Sequence, residues 1–285
     1  MTREQLITTI RQKKSYLCVG LDTDITRIPA HLLTQPDPIF EFNKSIIDAT
    51  RDLCVAYKIN TAFYEASGAR GWDTMERTVR YIGTDHFTIA DAKRGDIGNT
   101  CQQYAKAFFE TMPFDSITVA PYMGEDSVSP FLQYEGKWAI VLALTSNPGA
   151  QDFELKRIIE KEEVLEEGVH TTRQQTTYLF ETVMEKVAGW GNPDNLMFVV
   201  GATQADEFIN IRHLMPDHFF LVPGVGAQGG SLQEISEKAM NADVGILVNA
   251  SRAIIYASGG KDFADKAREV AKAYQVEMAS SLRGH

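Results

Sequence analysis

The sequence is poor in cysteine and has no long apolar run. Its 285 residues include three cysteines, Cys18, Cys54 and Cys101, which are far apart and form no CxxC motif. This use of cysteine argues against a disulfide framework and is typical of a reducing compartment. No apolar run approaches the roughly 20 residues that cross a bilayer. The N-terminal segment MTREQLITTIRQKK does not resemble a signal peptide or membrane anchor. We therefore expect a cytoplasmic protein with no membrane partner.

An excess of basic charge is also missing, because the formal net charge is -10. A nucleic-acid partner needs a basic protein face opposite its phosphates, so this balance argues against nucleic acid. A local basic pocket for a small anion stays compatible with the charge. The sequence shows neither an internal repeat nor a low-complexity tract. We expect residues 1–285 to form a single domain.

Eight short and almost continuously apolar runs alternate with helical patterns. They lie at 16–21, 54–59, 86–91, 116–121, 138–144, 196–202, 219–224 and 244–249. Such runs are typical of strands that are buried on both faces of a parallel sheet. Eight strand–helix units in a chain of this length predict a TIM barrel, which typically takes ~250 residues. A doubly wound parallel sheet is the main alternative.

Two segments lie outside this regular alternation. Thr2 and Gln5 have the spacing of a capping box and predict an N-terminal helix. The connection at 150–190 is unusually long and contains the acidic stretch EKEEVLEEG, which begins at Glu160. We interpret it as a helical insertion after the fifth strand, with the charged residues on a solvated face.

Polar residues follow the apolar runs at the ends where barrel enzymes carry out their chemistry. They are Asp22 and Asp24 after the first run, Lys58 and Asn60 at the second, Asp91, Lys93 and Asp96 at the third, residues 146–149 after the fifth, and Ser251 and Arg252 after the eighth. A packed core would not favour so many polar groups. The pattern therefore predicts a functional site at the carboxyl ends of the strands.

The segment FTIADAKRGDIG, residues 87–98, alternates opposite charges at the end of the third run. Asp91 and Lys93 are two residues apart and face the same side of a strand. Lys58 on the neighbouring strand can lie beside Asp91, which predicts a row Lys58–Asp91–Lys93–Asp96. Each charge would stay ionised despite partial burial because its neighbours carry the opposite sign. A surface ion-pair cluster is the alternative.

A second segment, PGVGAQGGS at 223–231, predicts an anion-binding loop. Its four glycines leave backbone N–H groups accessible, and a helix starting near Ser231 would add its N-terminus. Arg252 follows the eighth strand, where barrels often bind phosphate, and its guanidinium can hold a phosphate with two N–H groups. A flexible turn is the alternative for the glycines alone.

A metal site and a serine nucleophile have little support in the sequence. His213 and His218 have no carboxylate or cysteine partner of the kind that a metal site needs. Ser146 lies outside any GxSxG motif, which argues against a nucleophilic serine.

The charged and glycine-rich segments together resemble the orotidine 5′-phosphate decarboxylase family. DAKRGDIGNT (91–100) is similar to its DxKxxD signature, in the form of the longer, second bacterial branch. Other similar segments are VGLDTD (19–24), YKINTAFYE (57–65), ALTSNPG (143–149), VPGVGAQGG (222–230) and the pair Ser251–Arg252. The resemblance implies a TIM barrel that converts orotidine 5′-phosphate to uridine 5′-phosphate and carbon dioxide. It also implies the last step of de novo UMP biosynthesis and no metal or organic cofactor.

The resemblance further implies roles for individual residues. Lys93 would donate a proton to C6 of the pyrimidine, Asp91 would lie against the substrate carboxylate, and Lys58 would orient that group. Asp96 and Thr100 would reach the neighbouring subunit's site in a homodimer. The substrate-binding residues would be Asp22 and Lys58 at the ribose, Ser146 at the pyrimidine edge, Pro223 in the glycine-rich loop, and Gln228 and Arg252 at the 5′-phosphate. Ser251, expected to contact the phosphate through its backbone, is a departure from the shorter members of the family, which usually have glycine at this position.

Three other activities share parts of this pattern. A metal-dependent phosphate-sugar lyase with the same DxKxxD motif would carry a glutamate ligand where Lys58 stands, and Glu65 lies further along the chain. A non-catalytic barrel would bind a phosphate ligand without turnover. A Schiff-base aldolase would use Lys93 as its nucleophile, but flanking carboxylates would keep that amine protonated.

Overall fold

A computed structural model describes residues 1–166, 169–225 and 230–283 of the chain. Eight parallel strands form a closed barrel in the order β1-β2-β3-β4-β5-β8-β9-β10. The strands are β1 (Leu17–Gly20), β2 (Ala56–Asn60), β3 (Phe87–Arg94), β4 (Ser116–Val119), β5 (Trp138–Leu144), β6 (Arg157–Glu166), β7 (Val169–Tyr178), β8 (Leu196–Val200), β9 (Phe219–Pro223) and β10 (Ile246–Ala250). Every barrel strand overlaps one of the eight apolar runs. The predicted TIM barrel is therefore confirmed, and the doubly wound alternative is wrong.

Helices surround the barrel strands. They are α1 (Arg3–Lys13), α2 (Pro38–Thr50), α3 (Ala62–Glu65), α4 (Gly68–Ile82), α5 (Gly98–Lys106), α6 (Ser129–Leu132), α7 (Leu179–Ala188), α8 (Phe208–Leu214), α9 (Leu232–Ala239), α10 (Arg252–Ile255) and α11 (Phe263–Ser281). The predicted N-terminal helix is α1, and both hydrogen bonds of the Thr2–Gln5 capping box are present. Within the described ranges, no helix is long and apolar enough to cross a bilayer.

Burial of the strands accounts for their continuous apolar sequences. All residues of β1, β4, β8 and β10 are buried, and large aromatic groups such as Trp138 and Phe198 lie in the same core. A parallel barrel has side chains inside and helices outside, so neither face of a strand needs polar residues. Polar side chains are consequently concentrated where the strands end.

The predicted helical insertion after β5 is wrong. β6 and β7 pair as a separate antiparallel sheet, and the α-helix of this connection, α7, begins at Leu179. The sequence of β7, VHTTRQQTTY, contains four threonines, and β6 contains Ile158, Ile159 and Val164. Such β-branched residues favour strands because their side chains are restricted in a helix. Residues 160–166 of the acidic stretch, which indicated a helical face, lie on β6 instead.

Candidate active site

Four side chains of alternating charge meet at the carboxyl ends of β1, β2 and β3. The Lys58 ammonium lies between two carboxylates, with Nζ 3.1 Å from Asp22 Oδ1 and 3.0 Å from Asp91 Oδ2. The other oxygen of Asp91, Oδ1, accepts a hydrogen bond of 2.6 Å from Lys93 Nζ. We call Asp22, Lys58, Asp91 and Lys93 the charge network. Three of its four members, Lys58, Asp91 and Lys93, belong to the row predicted from the sequence.

The predicted fourth member, Asp96, lies outside the network. Its carboxylate accepts a hydrogen bond of 2.8 Å from the backbone N–H of Ile97. No ion pair found among the described residues includes Asp96. Asp22 from the end of β1 completes the alternation instead. Thr100 is exposed on the first turn of α5.

Mutual attraction keeps the central pair ionised although both groups are buried. The side chain of Lys58 is 5% exposed and that of Asp91 is 11% exposed. Burial alone would lower the pKa of Lys58, but Asp22 and Asp91 outweigh it, and the pKa is raised above its ordinary value. Burial alone would raise the pKa of Asp91, but Lys58 and Lys93 hold it below its ordinary value. A buried lysine and carboxylate therefore both carry charge at neutral pH.

An irregularity in β3 shapes the backbone at Lys93. Ala90 pairs with Ile117 of β4, whereas Arg94 pairs with Val119, so three residues of β3 lie opposite one residue of β4. Lys93 has φ of 47°, in the left-handed region. This conformation costs a residue with a Cβ atom roughly 1–2 kcal/mol. Strain of this kind persists only where surrounding contacts hold the backbone in place.

The network forms one wall of a cavity of about 330 Å³, a size typical of small-molecule sites. The predicted site residues that line it are Asp22, Lys58, Asp91, Lys93, Ser146, Pro223, Ser251 and Arg252. Leu142, Val199 and Leu221 add apolar surface from three strands. The cavity is thus lined by the charge network, by apolar side chains and by an arginine.

The arginine lies at the end of β10. Arg252 is the first residue of α10, and among the described residues no carboxylate lies within ion-pair distance of its guanidinium. Ser251 Oγ donates a hydrogen bond of 3.2 Å to the carbonyl oxygen of Gly20. A Cβ atom at Gly20 would lie 2.7 Å from Ser251 Cβ, so the close approach of these two strand ends requires glycine. The guanidinium is therefore available to an anion in the cavity.

The glycine-rich loop is described only in part. Gly224 has φ of 97°, and Val225 and Gly230 form a bridge that brings the ends of the loop together. Gln228, predicted to bind phosphate, lies outside the described residues. The helix expected near Ser231 is α9, and Ser231 caps it by accepting a hydrogen bond from the N–H of Glu234.

Two polar residues at this end of the barrel that the sequence reasoning did not identify are Asn249 and Thr118. Asn249 lines the cavity and is buried, and its Oδ1 has no hydrogen-bond partner among the described residues. An asparagine in the apolar run VGILVN was the available signal. Thr118 of β4 is fully buried and hydrogen-bonds to Asp91. Threonine is common in strands, so nothing in SITVAP distinguished it.

The residues present do not form a metal-binding set. In the described ranges, no group of three or more histidine, cysteine or acidic side chains is close enough to hold an ion. The Lys58 ammonium stands between Asp22 and Asp91, where a divalent cation would need to bind. Glu65, the other acidic residue near β2, pairs with Arg94.

Comparisons with known proteins agree with this geometry. The profile of the family "Orotidine 5'-phosphate decarboxylase / HUMPS family" matches residues 15–270. An orotidine 5′-phosphate decarboxylase of Flavobacterium johnsoniae is 57% identical, over 99% of this chain and 98% of its own. The enzyme of the same name from Bacteroides fragilis is 54% identical, over 99% of both chains. The structure of Leishmania donovani OMP decarboxylase has a TM-score of 0.76 and 33% identity, and covers 97% of this chain and 100% of that one.

These matches extend far beyond the DxKxxD motif. The profile begins just before β1 and ends within α11, so it includes every strand of the barrel. The likeness in fold and the similarity in sequence both run over nearly the whole chain. The chain therefore belongs to the orotidine 5′-phosphate decarboxylase / HUMPS family.

Proposed function

We propose that this chain converts orotidine 5′-phosphate to uridine 5′-phosphate and carbon dioxide, as the last step of de novo UMP biosynthesis in the cytoplasm. The observation that carries the proposal is that one cavity holds both the charge network and Arg252, which has no ion-pair partner in the part of the chain that the structure describes. Family membership and relatives named orotidine 5′-phosphate decarboxylase support the same reaction. Three buried free cysteines are consistent with a reducing compartment.

The reaction needs a fixed cation at the carbon that loses its carboxylate. When the C6–carboxylate bond breaks, its electron pair stays on C6 as a carbanion, and the ring offers no electron sink. The Lys93 ammonium stabilises this developing charge and then transfers a proton to C6. Neutral Lys93 regains a proton from solvent, to which its side chain is 49% exposed. No step requires an oxidant, a reductant or a second substrate.

The other members of the network hold Lys93 in position. Asp91 fixes the ammonium through a 2.6 Å contact and lies against the departing carboxylate. Lys58 keeps Asp91 ionised and, with Asp22, contacts the ribose hydroxyls. Such a preorganised set of charges contributes to catalysis because it needs little rearrangement during the reaction.

Substrate binding uses other residues that line the cavity. Arg252 holds the 5′-phosphate, together with backbone groups of the glycine-rich loop and Gln228. Ser146 and Pro223 contact the nucleotide from β5 and β9. Binding energy from the phosphate, remote from the bond that breaks, helps to organise the charge network.

The direct test is an absorbance assay of orotidine 5′-phosphate with the purified protein, with and without EDTA. We expect turnover without added metal and no loss in EDTA. Lys93→Ala should abolish turnover while leaving measurable affinity for uridine 5′-phosphate. Abolition by EDTA would favour the metal-dependent lyase, and turnover retained by Lys93→Ala would contradict the role of the lysine. Growth of a decarboxylase-deficient strain without uracil tests the pathway role.

The active assembly that we propose is a homodimer in which Asp96 and Thr100 complete the partner's site. Both follow the carboxyl end of β3 and lie outside the charge network. Ile97, Tyr122 and Met123 are exposed nearby, and Tyr122 is 91% exposed. Large exposed apolar groups of this kind are typical of protein interfaces. A second copy of the chain would cover them and bring Asp96 to the other cavity.

Subunit mixing tests this assembly. Lys93→Ala and Asp96→Ala should each be inactive alone. If each site takes Lys93 from one subunit and Asp96 from the other, an equal mixture that reassociates at random should regain about a quarter of wild-type activity, from one intact site in each mixed dimer. A mixture that remains inactive although mixed dimers form would place Asp96 in its own subunit's site.

A further inference from the structure

The irregularity in β3 leaves the backbone of Lys93 in need of a hydrogen-bond partner. Where residues 91–93 lie opposite a single residue of β4, the regular ladder between the two strands is interrupted. The residue at that point is Thr118, between Ile117 and Val119, which both pair with β3. Its hydroxyl accepts a hydrogen bond of 2.9 Å from the backbone N–H of Lys93.

The same hydroxyl also contacts the catalytic carboxylate. Thr118 Oγ1 donates a hydrogen bond of 3.0 Å to Asp91 Oδ1, the oxygen that accepts from Lys93 Nζ. A hydroxyl has one proton to donate, so the bond to Asp91 uses it while a lone pair accepts from Lys93. Thr118 is fully buried and is not among the residues that line the cavity.

One buried group thus fixes both the backbone and the ion-pair partner of Lys93. We infer that Thr118 is a positioning residue, which sets the distance between the Lys93 ammonium and the Asp91 carboxylate without touching substrate. This inference rests on the proposed function, because it assigns Thr118 to the proton-transfer step. It also explains how a left-handed backbone persists at a residue that carries a side chain.

The comparison of Thr118→Val with Thr118→Ser tests the inference. Valine keeps the shape but removes the hydroxyl, so kcat should fall about 10- to 100-fold, as expected for one lost hydrogen bond to a charged group. KM should stay within about 3-fold, because the binding residues are unchanged. Serine restores the hydroxyl and should keep kcat within about 3-fold of wild type.

Thr88 provides a matched control at the opposite end of β3. Its buried hydroxyl accepts a hydrogen bond of 2.8 Å from the N–H of Asp115 and donates one of 2.9 Å to the carboxylate of Asp115. Thr88→Val therefore removes contacts of the same two kinds, one accepted from a backbone N–H and one donated to a carboxylate, but far from the cavity. It should lower thermal stability as much as Thr118→Val does, while kcat stays near the wild-type value. An equal loss of kcat in both variants would overturn the inference.

Amide hydrogen exchange of Lys93, followed by NMR, separates this inference from the proposed function. Exchange should be faster in Thr118→Val than in wild type, and near wild type in Thr118→Ser. Unchanged exchange in the valine variant would overturn the inference even if the protein is an active decarboxylase. If wild type fails to convert orotidine 5′-phosphate, the proposed function is wrong. The exchange result then decides alone whether Thr118 holds the Lys93 backbone.

Discussion

The left-handed backbone of Lys93 allows strain and charge to be measured separately, by comparing Lys93→Gly with Lys93→Ala. Both variants lose the ion pair with Asp91, and both should lose turnover. They differ in one respect, because alanine retains a Cβ atom at φ of 47° and glycine does not. The difference between their free energies of unfolding therefore reports on the backbone at residue 93, because the loss of the lysine charge is common to both variants.

The expected difference follows from two opposing terms. A Cβ atom in the left-handed region costs roughly 1–2 kcal/mol, which glycine avoids. Glycine in turn loses more backbone entropy on folding, which costs about 0.5–1 kcal/mol relative to alanine. Lys93→Gly should thus be more stable than Lys93→Ala, by about 0.75 kcal/mol at the midpoints of these two ranges and by about 1.5 kcal/mol at most. At a position with negative φ the order would be the reverse.

Urea unfolding at one fixed protein concentration measures this difference, and a fixed concentration is needed because an assembly's stability depends on it. Two lysines serve as controls. Lys14 caps α1 with φ of 50° and should show the same order as Lys93. Lys272 is exposed within α11, and there glycine should be less stable than alanine by about 1 kcal/mol. If both controls behave as expected and Lys93→Gly is not the more stable variant, the backbone at Lys93 is not strained.

Three further predictions concern acid stability, packing and binding. Burial and neighbouring arginine charges lower the pKa of His218 to about 4, from 6.5. As pH falls below 6.5, His218 takes up a proton in the unfolded chain but stays neutral in the native chain. The free energy of unfolding therefore decreases between pH 6.5 and pH 4, by at most about 3 kcal/mol. His218→Phe should reduce the loss measured by urea unfolding between pH 7 and 4.5, and an unchanged loss would contradict it. Gly20→Ala, which puts a methyl group against Ser251, should cost about 1–3 kcal/mol of unfolding free energy, and an unchanged urea midpoint would contradict the close approach. Arg252→Ala should weaken binding of uridine 5′-phosphate by about 10- to 100-fold in calorimetry, whereas undiminished affinity would remove Arg252 from the phosphate site.

The barrel could be predicted because each strand is buried on two faces. That burial imposes a continuous apolar run, and eight such runs with helices between them fit few architectures. The hairpin of β6 and β7 has no such constraint. A strand that is not enclosed can carry many charges, so composition alone did not separate it from a solvated helix. Only the density of β-branched residues in VHTTRQQTTY indicated the strand.

The site was predictable as a region and less so in its details. Polar residues at strand ends identified Lys58, Asp91 and Lys93, because residues that end neighbouring parallel strands must lie close together. The choice of Asp22 over Asp96 as the fourth charge depends on how two loops turn after their strands. The contact of Thr118 depends on an interruption of the ladder between β3 and β4. Neither feature has a signature in local sequence.

The alternation of charge in the network follows from its burial. Lys93 is half exposed and would be mobile alone, so a fixed position requires a carboxylate beside it. Asp91 is too deeply buried to remain ionised with one half-exposed partner, which requires Lys58 on its other side. Lys58 is in turn more buried than Asp91, and Asp22 supplies its second carboxylate. Loss of an interior member would break two ion pairs at once, one of them the buried pair of Lys58 and Asp91, and breaking a buried pair typically costs about 3–5 kcal/mol. The outer members, Asp22 and Lys93, each contact only one neighbour in the network. The two interior charges therefore contribute most of the network's effect on folding stability, and the exposed lysine is the member that can take part in the reaction.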